Sequence, residues 1–282
     1  MGIDVFKPPV FVICEIDKYT DLYPQISKLR SFIFRGHRCS SWKLSSSFER
    51  EFNKYPKSQM IEGAEKYSLQ YFKRRVHSHS AVISSPTSDI DLLALMQHHG
   101  CPTRLVDFTS SFYVATYFAV RESFQANENF CIWALNFPAL KQYTDSILDL
   151  ENTHKQIHDI IYKLLDLKKN GVIIVEPKSV TKRMSSQQGI SLAQTNIHTP
   201  FEYNLHSTMN TNCDPVEISL DELHQINRNI INDIRIIKFT FNDKYIQHVR
   251  RELLSLNITS ESLFPDLEGM ARSSVEHMFW QY

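Results

Sequence analysis

The chain has 282 residues, 42% hydrophobic and 22% charged, enough apolar material for a sizeable core and no bias toward a disordered or fibrous class. Lys plus Arg and Asp plus Glu each number 31, so no whole-molecule charge steers the chain to nucleic acid or membrane; only a local basic groove could. Five scattered cysteines (Cys14, Cys39, Cys101, Cys131 and Cys213) form no CxxC pair, which argues against a disulfide framework or a zinc cluster and fits a reducing compartment.

The opening MGIDVFKPPVFVICEIDKY carries acids inside its apolar run and has no basic leader, so no signal peptide is expected. No stretch reaches the run of about eighteen apolar residues that a membrane helix needs. Phe6 stands where myristoylation requires Ser or Thr, and the expected location is the cytoplasm. FVICEI (11–16) and FIFRG (32–36) read as strands, with room for a small helix in the polar stretch 17–30. Residues 47–78 have helical composition, broken near Tyr55–Pro56. Ser88 followed by Asp91 predicts a capped helix over 89–99, stopped by Gly100. TRLVDF is predicted as a strand, SSFYVATYFAVRES as a helix and FCIWALNF as a strand. Residues 145–168 read as helix, VIIVEP as strand, and SQQGISLAQ as a strand beginning at a turn. IRIIKFTF (234–241) is a β-branched strand, Asn242 caps a helix to about 256, and a last helix starts near Asp266. The stretch 196–222, rich in Asn, Thr, His and Pro, reads as a surface loop or lid. Strands and helices without regular alternation give an α+β class, taken as one domain over 1–282.

Several clusters carry chemistry. FRGH (34–37) ends a strand in an arginine, whose planar donors suit a carboxylate or phosphate, followed by a glycine that allows close approach. QHHG (97–100) closes a helix and offers Gln97, His98 and His99 to a cleft or to its own last carbonyls; no further ligands follow at metal spacing. In TRLVDFTSS, period-two alternation sends Thr103, Leu105 and Asp107 to one face and Arg104, Val106 and Phe108 to the other. One hydroxyl among Thr109, Ser110 and Ser111 suffices to cap the next helix, so three hydroxyls beside Asp107 suggest a cradle for phosphate or ribose. RMSSQQG (183–189) pairs Gln187 and Gln188 at a strand start, and SLFPDLEGMAR (262–272) places Glu268 in a first helical turn. The basic stretches FKRRVHSHS (72–80) and VRRE (249–252) read as phosphate contacts or as solvated helix faces.

These pieces together resemble the FRG domain family. The resemblance rests on FRGH, on Trp42 and Leu44 with Arg50 downstream, on QHHGCPTRLVDFTSSFYVATYFA, on R-x-S-S-Q-Q-G and on LFPDLEG, over about residues 30–270. Val106 and Phe108 stand where the family more often has Leu and Trp. The FRG domain is in turn similar to ADP-ribosyltransferases, which carry an arginine or histidine on an early strand, an S-T-S-like strand feeding a helix with A-x-x-F, and a glutamate on a third strand. Arg35 matches the first element and DFTSSFYVATYFA the second, while Gln187–Gln188 occupy the glutamate position. Either an amide holds the ribose there or a carboxylate arrives from elsewhere, with Glu268 and Asp107 as candidates.

The resemblance implies an ADP-ribosyltransferase-like split mixed or antiparallel sheet with flanking helices. It also implies an NAD-dependent mono-ADP-ribosyltransferase, with NAD as co-substrate and no metal. Arg35, Gln188, Glu268 and Asp107 are the catalytic candidates. Arg35, Gln97, His98, Thr103, Arg104, Thr109 and Ser110 are the candidates for holding NAD. The implied setting is a bacterial anti-phage toxin that modifies RNA or protein, acts off the membrane and is neutralised by an antitoxin encoded elsewhere. A module that binds a nucleotide or nucleic acid without chemistry is the alternative.

Overall fold

A computed structural model of the chain describes residues 10–55, 61–79, 88–122, 128–150, 169–177, 181–226 and 231–281. The apolar, β-branched runs become strands, as expected: β1 (Phe11–Ile16), β2 (Phe32–His37), β3 (Leu105–Thr109), β4 (Phe130–Asn136), β5 (Val172–Val175), β6 (Gly189–Gln194), β7 (Val216–Ile218) and β8 (Ile236–Phe241). They form one mixed sheet in the order β5-β6-β3-β2-β4-β8-β1-β7. β1 runs parallel to β7 and β8, and the other neighbours are antiparallel.

The helices are α1 (Tyr23–Ile26), α2 (Ser47–Phe52), α3 (Ile61–His79), α4 (Asp89–His98), α5 (Phe112–Val120) and α6 (Phe137–Leu150). They continue as α7 (Lys182–Ser186), α8 (Phe201–Met209), α9 (Leu220–Gln225), α10 (Ile246–Ser255), α11 (Ser260–Leu263) and α12 (Leu267–Phe279). Local chemistry sets their ends. Ser88 and Asp91 form a full capping box on α4, and Gly100 at φ 83° ends it. Asp266 caps α12, and Asn242 caps a single 3₁₀ turn that leads into α10.

Two expectations need correction. The stretch 196–222 is not a loop. Phe201, Leu205 and Met209, four residues apart, form a buried stripe on α8, and β7 adds the parallel edge strand beside β1. The many polar residues around that stripe serve as stitching: Asn204 accepts from the Gly171 and Asn196 amides and donates to Asn196, Thr199 and Pro200 carbonyls. SQQGISLAQ is strand only from Gly189, because Thr181 caps the short helix α7 before it. The helix expected over 145–168 is described to Leu150, and its remainder, like Ser80 of the first basic stretch, lies outside the described residues. In the second basic stretch Arg250 is buried, donating to the Val120 carbonyl and lying over Trp280.

Three apolar layers enclose the sheet. Phe32 and Phe34 of β2 pack with α5 on one face, and Ile33 packs with Val106, Phe108, Trp133 and α8 on the other. A third cluster joins α3 and α4 to Leu105, Ile173, Val175 and Ala193. The alternation of β3 places Leu105, Asp107 and Thr109 on the face that Phe34 and α5 share, so α4 and α5 flank the seam between β2 and β3. That seam is nearly open. β2 meets β3 only at Phe34 opposite Thr109, whereas it pairs with β4 from Phe32 to His37.

Gly36 lets β2 lie hard against α5. A Cβ there would stand 1.9 Å from the Ala115 carbonyl oxygen and 2.8 Å from the Ala119 nitrogen, both backbone atoms that cannot rotate away. Gly36→Ala is therefore expected to lower unfolding stability by about 3 kcal/mol. Gly189→Ala, whose Cβ meets nothing nearer than 3.5 Å, should change it by about 1 kcal/mol or less. Denaturant titration of the two variants checks the contrast.

Candidate functional site

The open seam forms the floor of a cleft of about 860 Å³, bounded by β2, β3, α4, α5 and α7. Its lining includes six cationic side chains, Arg35, Arg38, Lys43, Arg50, Arg121 and Arg183, against three carboxylates, Asp91, Asp107 and Glu122. A chain that is neutral overall thus concentrates positive charge in one concavity, where low-dielectric walls focus the field on an anion.

Arg35 spans the seam. With Gly36 turned to α5, alternation turns Arg35 and His37 to the opposite face of β2. Arg35 Nη1 donates to the Asp107 carbonyl oxygen at 2.5 Å, and its Nε donates to His37 Nε2 at 3.2 Å. Burial lowers the Arg35 pKa, yet an arginine keeps its proton. Burial first, and the Arg35 charge second, push the His37 pKa down to about 3, so the imidazole is neutral and able to accept.

Asp107 is the one exposed side chain of an otherwise buried strand. Ser191 Oγ donates to its Oδ1 at 3.0 Å and Gln97 Nε2 to its Oδ2 at 2.5 Å. Gln97 is itself oriented from behind, since the buried Thr103 hydroxyl donates to Gln97 Oε1. With the amide oxygen engaged, its NH₂ faces Asp107. The carboxylate therefore meets a donor on each oxygen, which fixes its position beside the seam. His98, next on α4, also lines the cleft, and its pKa is lowered by burial and then by Arg183 and His99.

The structure brings Arg35, Gln97, His98, Asp107 and Thr109 to the cleft, with Thr103 buried behind Gln97. Four other expectations are corrected. Arg104, just ahead of β3, is buried in a bidentate ion pair with Glu65 of α3 and donates also to the Gln194 carbonyl, so it ties α3 to the sheet and does not line the cleft. Ser110 is exposed outside the cleft lining and donates to Gln188 Oε1 at 3.0 Å. Gln188 sits at φ 48° with its side chain outside; Gln187 lines the cleft instead. Glu268 is exposed on the first turn of α12 and does not line the cleft.

The expected cradle of hydroxyls is closed. Thr109 donates to the Gln187 carbonyl at 2.7 Å and accepts from the Ser111 amide, while Ser111 caps α5 at Val114. The three hydroxyls thus join the α5 N-terminus to the α7–β6 turn. Sequence reasoning did not assign Arg38, Lys43, Arg121 or Ser191 to the site, and it used Arg50 and Arg183 only as parts of motifs. Ser191 was legible in principle, since β6 pairs it directly with Asp107, but that pairing is not local.

Among the described residues, no group of three or more His, Cys, Asp or Glu side chains is arranged to hold a metal ion. No helix among them is long and apolar enough to cross a membrane. Residues 30–128 match the FRG domain family, and this stretch holds β2, α4, β3 and α5, the elements on both sides of the seam. The chain has no match among the curated proteins or the solved structures compared with it.

The depressed His37 pKa gives a signed expectation. Between about pH 3 and pH 6.5 the unfolded chain binds a proton at His37 that the folded chain refuses, so stability falls as pH drops through that window. From pH 7 to pH 5 the wild type should lose about 2 kcal/mol more than His37→Gln, measured by chemical denaturation at both pH values.

Proposed function

We propose that the cleft binds NAD and that the chain transfers ADP-ribose from it to a macromolecular acceptor, RNA or protein. The observation that carries this reading is the pairing, in one cleft, of an excess of cations with a carboxylate held by donors on both oxygens. The cations suit a pyrophosphate, and the volume lies in the range of small-molecule and cofactor sites. Cleaving the bond between nicotinamide and ribose leaves positive charge on C1′ and its ring oxygen. Asp107, fixed by Ser191 and Gln97, sets its carboxylate against that charge with little reorganisation. Arg35 holds the phosphates at the seam, and the acceptor attacks the opposite face of C1′ and releases its proton.

The split mixed sheet agrees with an ADP-ribosyltransferase-like fold, and Asp107 takes the part that a third-strand glutamate plays in that family. The resemblance extends the reading to an anti-phage toxin held in check by an antitoxin. One observation favours a second reading, a module that binds a nucleotide without chemistry: both Asp107 oxygens already have protein partners.

Incubation with NAD labelled in its adenylate half, followed by addition of cell RNA and protein, separates the two. Wild type should label an acceptor. Arg35→Lys should weaken NAD binding about tenfold or more, since lysine keeps the charge and loses the fork. Asp107→Asn should bind NAD nearly as well and lose about 100-fold or more in turnover, the loss of about 2.7 kcal/mol of transition-state stabilisation. Full turnover by Asp107→Asn would leave the binding module as the better reading.

A further inference from the structure

The proposed reaction uses Arg35 and Asp107 and leaves Arg183 without a part. Arg183 is the second residue of α7 and lines the cleft. Its guanidinium lies 4.5 Å from the centroid of the Phe264 ring. Arg121, just past α5, lies 5.4 Å from the same ring and 5.1 Å from Phe118. Two like charges thus share one aromatic ring at the edge of a cleft.

Stacking explains how they stay there. A guanidinium held through its face keeps its in-plane N–H donors free. Arg121 uses one on Glu122 at 2.8 Å. Arg183 has no carboxylate within ion-pair distance among the described residues; Asp107 and Asp266 act on it only at longer range. Burial, and then Arg121, lower its pKa, so the fold bears a cost that a bound anion would relieve. The mount is firm: Gln187 Nε2, at the end of α7, donates to the Leu263 carbonyl beside Phe264 at 3.1 Å. His98 lines the same cleft and feels the Arg183 charge.

We propose that Arg183, with Arg121 and His98, forms a second anion subsite of the cleft, separate from the Arg35–Arg50 end and suited to a phosphate monoester. Asp107 shares the cleft with both and acts electrostatically on Arg35 and on Arg183. Which ligand carries that phosphate rests on the NAD reading above: it is either an extra phosphate on the dinucleotide or a phosphate on the acceptor.

The test is calorimetric titration of the full-length protein with inorganic phosphate, NAD and NADP at low ionic strength, for wild type, Arg183→Gln and Arg183→Lys. Wild type should bind phosphate. Arg183→Gln should lose at least tenfold in affinity, and Arg183→Lys should fall between them, because the charge survives without the fork. NADP binding tenfold tighter than NAD in wild type, and equal to it in Arg183→Gln, assigns the phosphate to the dinucleotide. Equal binding of the two assigns it to the acceptor. Phosphate binding that is absent in wild type, or unchanged in both variants with native circular dichroism, overturns the subsite. A protein that binds phosphate through Arg183 but fails to bind NAD or NADP overturns the dinucleotide reading and leaves the subsite standing.

Discussion

The cleft depends on β2 and β3 meeting at one position only, Phe34 opposite Thr109. Adjacent strands ordinarily zip along their length, because each unpaired backbone group in a sheet interior must find another partner. Here the Arg35 guanidinium supplies that partner, taking the Asp107 carbonyl at 2.5 Å where a strand amide would otherwise donate. One side chain therefore both satisfies the split and places its charge inside it. Gly36 sets the position of β2 on the other side, since only a residue without a Cβ lets the strand sit this closely against α5.

Much of this was legible locally. The apolar period and the caps located β1, β2, β4, α4 and β8, because each is a local arrangement that its own residues specify. Alternation along TRLVDFTSS separated Asp107 from Val106 and Phe108, which pack on the other face. It did not reveal that Arg104 is taken by Glu65 of α3, 39 residues earlier in the chain. The hydroxyls misled for a related reason: Thr109 and Ser110 are polar because they meet the Gln187–Gln188 turn, a partner from the far end of the β3–β6 pairing. The α8 stripe escaped because three apolar residues were diluted by side chains that hydrogen-bond to backbone.

Net charge shows the same limit. Equal totals of acid and base remove any global attraction, yet folding sorts them unevenly. Glu65 goes to Arg104 and Glu276 goes to Tyr117 and Ser260, both in buried polar clusters away from the cleft. Arg35, Lys43, Arg50 and Arg183 are left in the cleft lining with no carboxylate at ion-pair distance among the described residues. A neutral sequence thus presents a basic site because folding gathers six cations and three carboxylates in one lining.

The most direct measurement is a crystal structure of the protein with a non-hydrolysable carbocyclic NAD analogue. The pyrophosphate should lie against Arg35 at the seam, with the carbon equivalent to C1′ within about 3.5 Å of the Asp107 carboxylate, a separation at which charge on that carbon is felt. An analogue bound outside the seam, or one whose ribose lies away from Asp107, would contradict the assignment of the cleft as the place where the bond to nicotinamide is broken.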